Sequence, residues 1–300
     1  MRKAVYYIAI VAFVILGLTI FLCTLFPKPL NQTLPNLDIV FTPDSSVGQI
    51  GFTSSNDPNK KIVLISVARI SKYISSEITW SPDGKYIATR YSNHHPDDGY
   101  PILIHQNGKI TFCRNSPWGH GKIWVLSDSV VSMIVSGETI DRIVKFDMDT
   151  CQETENLYTG KPGESIREFT LSSSGVIAIE HRKEGIIGEI KISILLQQED
   201  AKDVVFLGSN PMWAPNGEWL AYVSDGIRII NPYSGDIQQI SPATANSPYW
   251  DSSSSLIIFT RINKELKISE LVITNIDTGD TKNLSIAGYG PAWRWETLNP

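Results

Sequence analysis

An aromatic residue followed by a turn and a β-rich run recurs along this chain, and no other feature restricts its fold as tightly. The aromatic stands at Trp80, Trp124, Phe169, Trp213, Trp250 and Trp293, with separations of 44, 45, 44, 37 and 43 residues. The clearest copies are Trp80-Ser81-Pro82-Asp83-Gly84 and Trp213-Ala214-Pro215-Asn216-Gly217; those at 124, 169 and 250 keep the aromatic but lose part of the turn. Proline presets φ at the second turn position, and glycine accepts the left-handed conformation that closes a hairpin. Asp83, Gly84 and Gly217 therefore read as structural residues of the repeat. The runs that follow alternate or are solidly apolar, as half-buried and buried strands are. Further on, Ser234-Gly235-Asp236 and Thr278-Gly279-Asp280 each divide a third strand from a fourth.

Four strands per unit at this spacing is the pattern of a β-propeller blade. No stretch after residue 27 sustains a helical amphipathic period, so the fold class is all-β. The recurring aromatics read as packing between neighbouring blades, because a ligand box would not repeat at one position around a ring.

The W-S-P-D-G-x-x-I-A-x pattern, followed by h-x-h-x-D-x-x-x-G-x-x-x-x-h-S/T, resembles the WD-like repeats of TolB-type six-bladed propellers. The resemblance runs from about residue 45 to 297 and is sharpest at 80, at 213 and in the turns at 231–236 and 277–280. It implies six four-stranded blades and a binding component outside the cytoplasm.

The chain ends specify how such a ring closes. After Trp293 there is room for a single strand, while strands expected at 49–55, 60–67 and 70–76 lack a first strand of their own. Docking the Trp293 strand inside those three completes an N-terminal blade and removes exposed edges. The propeller then spans 46–300 with six blades. A competing reading takes Phe41-Thr42-Pro43-Asp44 as a seventh copy.

Ahead of the repeats, Ala4 to Phe26 contains no charged residue. At 1.5 Å per residue this helix reaches roughly 35 Å, enough to cross a bilayer core. The run is longer than a secretory signal core and ends without an A-x-A-like site, so residues 1–26 read as an uncleaved signal anchor. Leu22 before Cys23 does not fit a lipobox. Arg2 and Lys3 place the N-terminus in the cytoplasm and the propeller outside it, periplasmic or at the cell surface. Residues 27–45, rich in Pro and Asn, read as a linker. Beyond the anchor, 24 basic residues face 31 acidic ones, a balance of −7. That charge gives no footing for nucleic acid.

Chemical motifs are sparse. There is no G-x-S-x-G elbow, no zinc signature and no phosphate-cradling glycine loop, so no catalytic residue, metal or cofactor is expected. The histidines form the one constellation. His94 and His95, with Asp97 and Asp98, fall in a second-to-third strand loop; Trp118 and His120 fall in a connection between blades; His181 begins another second-to-third loop. In a propeller these loops share one face. That rim is the expected contact surface for a protein partner or polar ligand, and imidazoles with carboxylates also suit a transition metal. Cys113 and Cys151 fall near the outer edges of successive blades, where an exported protein can bridge them. The expected function is a non-catalytic, membrane-tethered binding scaffold. The alternative is a propeller enzyme of lyase or hydrolase type with its site at the histidine rim.

Overall fold

The computed structural model describes residues 39–43, 49–54, 63–66, 73–74, 77–81, 83–92, 98–113, 116–127, 129–183, 190–195, 204–241, 245–263 and 265–294. The apolar run at 4–26, His94, His95 and Asp97 lie outside them. Among the described residues no helix is long and apolar enough to cross a membrane.

All the regular structure described is β. The strands are β1 (Ile39–Pro43), β2 (Gln49–Thr53), β3 (Val63–Ser66), β4 (Tyr73–Ile74), β5 (Thr79–Trp80), β6 (Tyr86–Ser92), β7 (Asp98–His105), β8 (Ile110–Phe112) and β9 (Gly119–His120). Then come β10 (Trp124–Val125), β11 (Val130–Val135), β12 (Arg142–Asp147), β13 (Gln152–Thr159), β14 (Glu164–Leu171), β15 (Ile177–Lys183), β16 (Ile190–Leu195) and β17 (Val204–Leu207). The series ends with β18 (Ser209–Trp213), β19 (Leu220–Val223), β20 (Ile227–Ile230), β21 (Ile237–Ser241), β22 (Ala245–Trp250), β23 (Leu256–Asn263), β24 (Ile268–Asn275) and β25 (Thr281–Trp293). Strands β10–β13, β14–β17 and β18–β21 form three four-stranded antiparallel sheets, and β4–β9 form a fourth sheet.

The fifth sheet has seven strands in the order β22-β23-β24-β25-β1-β2-β3. The expected count of six separate blades is therefore corrected to five sheets, and β25 is the cause. Its first half pairs with β24, from Thr281 opposite Thr274 to Ala287 opposite Glu270. Its second half pairs with β1, from Gly288 opposite Pro43 to Trp293 opposite Ile39. Positive φ angles at Ser285 (56°) and Gly290 (57°) let the strand pass from one array into the next. The Phe41 ring lies over both Gly51 and Gly288, where an added Cβ would come within 2.5 Å of it.

Two strand assignments change with this closure. Ile39–Pro43, read as linker or as part of a seventh repeat, is β1 and sits between the Trp293 strand and β2. Its buried Ile39, Val40 and Phe41 explain why. Tyr73–Ile74, read within the closing blade, pairs instead with β6 of the next sheet.

The repeat turns are held as their residue types require. At the first, Ser81 N donates to Tyr86 O (2.9 Å), Gly84 N donates to Ser81 O (2.9 Å), and Gly84 has φ +66°. The Ser81 hydroxyl donates to Asp83 (2.6 Å), and Asp83 accepts from Lys85 N (3.1 Å). Gly217 and Gly175 take the same left-handed place at 213 and 169, and Ser254 takes it in the glycine-less copy.

Inner strands contact one another in a closed circuit: β5, β10, the β10–β11 hairpin with β14, then β18, β22, the end of β25 and β5 again. The repeat aromatics carry these junctions. Trp124 Nε1 donates to Phe169 O (2.8 Å), and Trp250 Nε1 donates to Met212 O (2.9 Å). Arg294 lies over the Trp80 ring at 5.3 Å. Across the middle, Trp124 from β10 and Tyr249 from β22 stack with centroids 6.4 Å apart. Tyr249 is fully buried, and burial pushes its phenol far above the ordinary range. These rings fill the axis at their level.

Candidate functional site

The one to three residues ahead of each repeat aromatic lead into or lie on an inner strand near one end of the axis. Most of those positions carry neutral residues, but three successive repeats carry charge there. Glu77 precedes Trp80, Lys122 precedes Trp124, and Arg167 with Glu168 precede Phe169. The ring brings them together at a cavity of about 530 Å³, with Glu180 from β15 and Asn210 from β18 completing its wall. Trp118, His120, Gly121 and Ser136 line the remaining side.

Lys122 sits behind this wall, its side chain 5% exposed. Its Nζ lies 3.7 Å from Glu77 Oε2 and 4.0 Å from Glu168 Oε2, and it makes no hydrogen bond among the described residues. Its backbone N–H donates to Glu168 Oε1 (3.0 Å), as does that of Phe169 (3.1 Å). Asn210 N donates to Glu180 Oε2 (2.7 Å). Burial alone would lower Lys122, but Glu168, Glu77 and Glu180 outweigh it and hold the ammonium above its ordinary value. Burial pushes Glu168 up to about 8 against the pull of Lys122. Glu180 is likewise raised by burial, with the Asn210 amide opposing. Both Lys122 and Glu168 shift upward because their surroundings differ. The ammonium has three carboxylates to offset its desolvation, whereas Glu168 has one ammonium at 4.0 Å and like charges beside it. Lys122 keeps its charge, and Glu168 gives up its proton late.

A buried arginine fixes the opposite wall. Arg90, 1% exposed, donates through Nε to Gly121 O (2.9 Å) and through its two terminal nitrogens to Gly99 O and Ile134 O (3.2 Å each). It thereby clamps 119–121 between β7 and β11. Glycine is required at 119, since a Cβ there would meet Ile134 O at 2.0 Å. Gly121 has φ +69°. The clamp presents Trp118, 37% exposed, whose ring packs edge-on against Tyr100 at 5.3 Å.

The expected histidine rim is partly redrawn. Trp118 and His120 line the cavity, but His120 is anchored through both ring nitrogens. Nε2 donates to the Ile166 carbonyl, so Nδ1 pairs with Ser136 Oγ (3.0 Å). His181 does not begin a loop; it lies within β15 as the cross-strand partner of Ile166. Its Nε2 is paired with Ser193 Oγ (2.7 Å), its Nδ1 lies 3.7 Å from Glu164, and burial lowers its pKa. Asp98 starts β7 opposite His120. With both its nitrogens engaged His120 is a structural tie, and His181 is held through Nε2. Among the described residues no group of three or more His, Cys, Asp or Glu is placed to hold a metal ion. Cys113, just after β8, and Cys151, in the β12–β13 turn, form a disulfide with Cα atoms 5.5 Å apart.

The charged ring of Glu77, Lys122, Arg167, Glu168 and Glu180 was missed in reading the sequence. Counting back one to three residues from each repeat aromatic finds all but Glu180, which lies on β15.

No family model matches the sequence, and no curated protein matches it. Among solved structures the chain is similar to TolB from Acinetobacter baumannii, with TM-score 0.62 and 14% identity over 91% of this chain and 69% of that one. It is also similar to a protein assigned as TolB from Agrobacterium tumefaciens (TM-score 0.59, 12% identity, 84% of this chain and 90% of that one). A functionally unknown protein from Desulfotomaculum acetoxidans matches with TM-score 0.54 and 11% identity, over 86% and 99% of the two chains. At these identities the likeness is one of fold: the chain is an all-β propeller with TolB-like structural neighbours.

Proposed function

We propose that this protein is a membrane-tethered binding scaffold whose propeller lies outside the cytoplasm and receives its ligand or partner at the cavity-bearing end of the axis. The observation that carries the reading is the polar cup of about 530 Å³, beside an exposed tryptophan and backed by a filled axis. Its size lies within the range of pockets that enclose small ligands. Its wall stands on inner strands and on the Arg90 clamp, so the groups are held in place before anything binds, which lowers the cost of association. The uncharged run at 4–26 with Arg2 and Lys3 ahead of it supports the tether and its orientation. The Cys113–Cys151 disulfide supports an oxidising compartment.

Affinity capture of the full-length protein from its own membranes tests the scaffold. Trp118→Ala at the proposed end, and a His94→Ala/His95→Ala pair in the loop that the sequence alone assigns to that end, are compared with Tyr233→Ser, an exposed residue in the β20–β21 turn at the other end. Recovery of the bound component should fall about tenfold for the first two and hold for the third. Equal recovery from all would contradict the placement. N-terminal sequencing of the mature protein tests the tether, and a start near Pro27 would remove it.

A further inference from the structure

We propose that the axial cavity takes a neutral, hydroxyl-rich ligand of one or two sugar rings. This deepens, and rests on, the reading that the cavity-bearing end is the binding end. Three observations select that chemistry.

The first is the mixture of signs. Glu77, Glu168 and Glu180 stand around Lys122, and Arg167 shares the wall. A second cation would be brought up beside an ammonium and a guanidinium, and an anion beside Glu77, while Glu168, protonated below about 8, presents an O–H donor together with an acceptor oxygen. A neutral ligand bearing both O–H donors and oxygen acceptors meets both sets without adding charge.

The second is the unmet demand of Lys122. Its ammonium has three N–H donors, is almost wholly buried, and stands 3.7 and 4.0 Å from carboxylates that line the cavity, too far for hydrogen bonds. Hydroxyl groups reaching between Glu77 and Glu168 would accept from Lys122 while donating to carboxyl oxygens of the two side chains. Donation to Glu180 and Asn210 on the facing wall extends the same pattern.

The third is Trp118. It is 37% exposed, its edge contact with Tyr100 holds the ring, and it stands at the cavity. A rigid, partly open aromatic face beside convergent polar groups suits a ligand with an apolar C–H face and a polar rim.

The test uses the full-length protein in lipid nanodiscs, because maltoside detergents carry sugars, on a glycan microarray bearing neutral, uronic-acid and amino-sugar probes. Retention on neutral probes is expected. Trp118→Ala and Glu180→Gln should each weaken it about tenfold, with both variants still unfolding in one cooperative transition. Retention on charged probes alone, no retention on any probe, or retention indifferent to both substitutions would overturn the proposal. If partner capture still depends on Trp118 while no neutral probe is held, the binding end stands and the saccharide assignment fails.

Discussion

Glu168 is one side chain through which solution pH reaches the cavity. Its folded pKa of about 8 lies above the ordinary 4.5, so its protonated form stabilises the fold fully below about 4.5. That contribution is lost as pH rises through about 8. In Glu168→Gln the amide oxygen keeps the bonds from Lys122 N and Phe169 N, and the ionisation is gone. Melting temperatures from about pH 5 to about pH 9 should fall less for the variant than for the parent; parallel curves would contradict the assignment. Single residues were unevenly legible. Gly84, Gly217 and Asp83 could be read because a left-handed turn admits few residue types. Arg90 could not, since nothing in the sequence marks an arginine in a strand as one that will be buried against three carbonyls. His120 and His181 were read as rim residues because sequence does not show that Ser136 and the Ile166 carbonyl would engage both nitrogens of His120 and Ser193 one nitrogen of His181.

Among the elements, β25 carries the largest burden, because one strand edges two arrays. Its final turnless run could be placed from Trp293, but not its continuity with the strand before it, which depends on φ angles at Ser285 and Gly290. Likewise β1 escaped notice because Pro43 and the surrounding asparagines mask a short apolar triplet. Trp293, 5% exposed, packs at the start of the closing array. Trp293→Ala should cost about 3–5 kcal/mol and lower the melting temperature by roughly 10 °C. A shift of a degree or two would show that β25 does not close the ring. The disulfide makes a second tie, joining the end of β8 to the β12–β13 turn across 38 residues. Reduction should lower stability by about 2–4 kcal/mol in the parent and change nothing further in Cys113→Ala. An unmoved melting curve on reduction would mean that the bridge does not form.

For the whole molecule, a ring of sheets about a filled axis has two unlike ends. One carries the charged cup and Trp118; the other carries the repeat turns and exposed residues such as Tyr233. The ring itself could be read from spacing alone, whereas the cup could not, because it is assembled from residues some 130 positions apart, Glu77 to Asn210. A propeller that binds through the cup engages its partner at that end only. The most direct measurement places a photo-crosslinking amino acid at 118 and, in a second variant, at 233, in the full-length protein expressed in its native cells. Adducts formed at 118 and not at 233 are the predicted result; adducts at 233 alone, or equally at both, would contradict a single binding end.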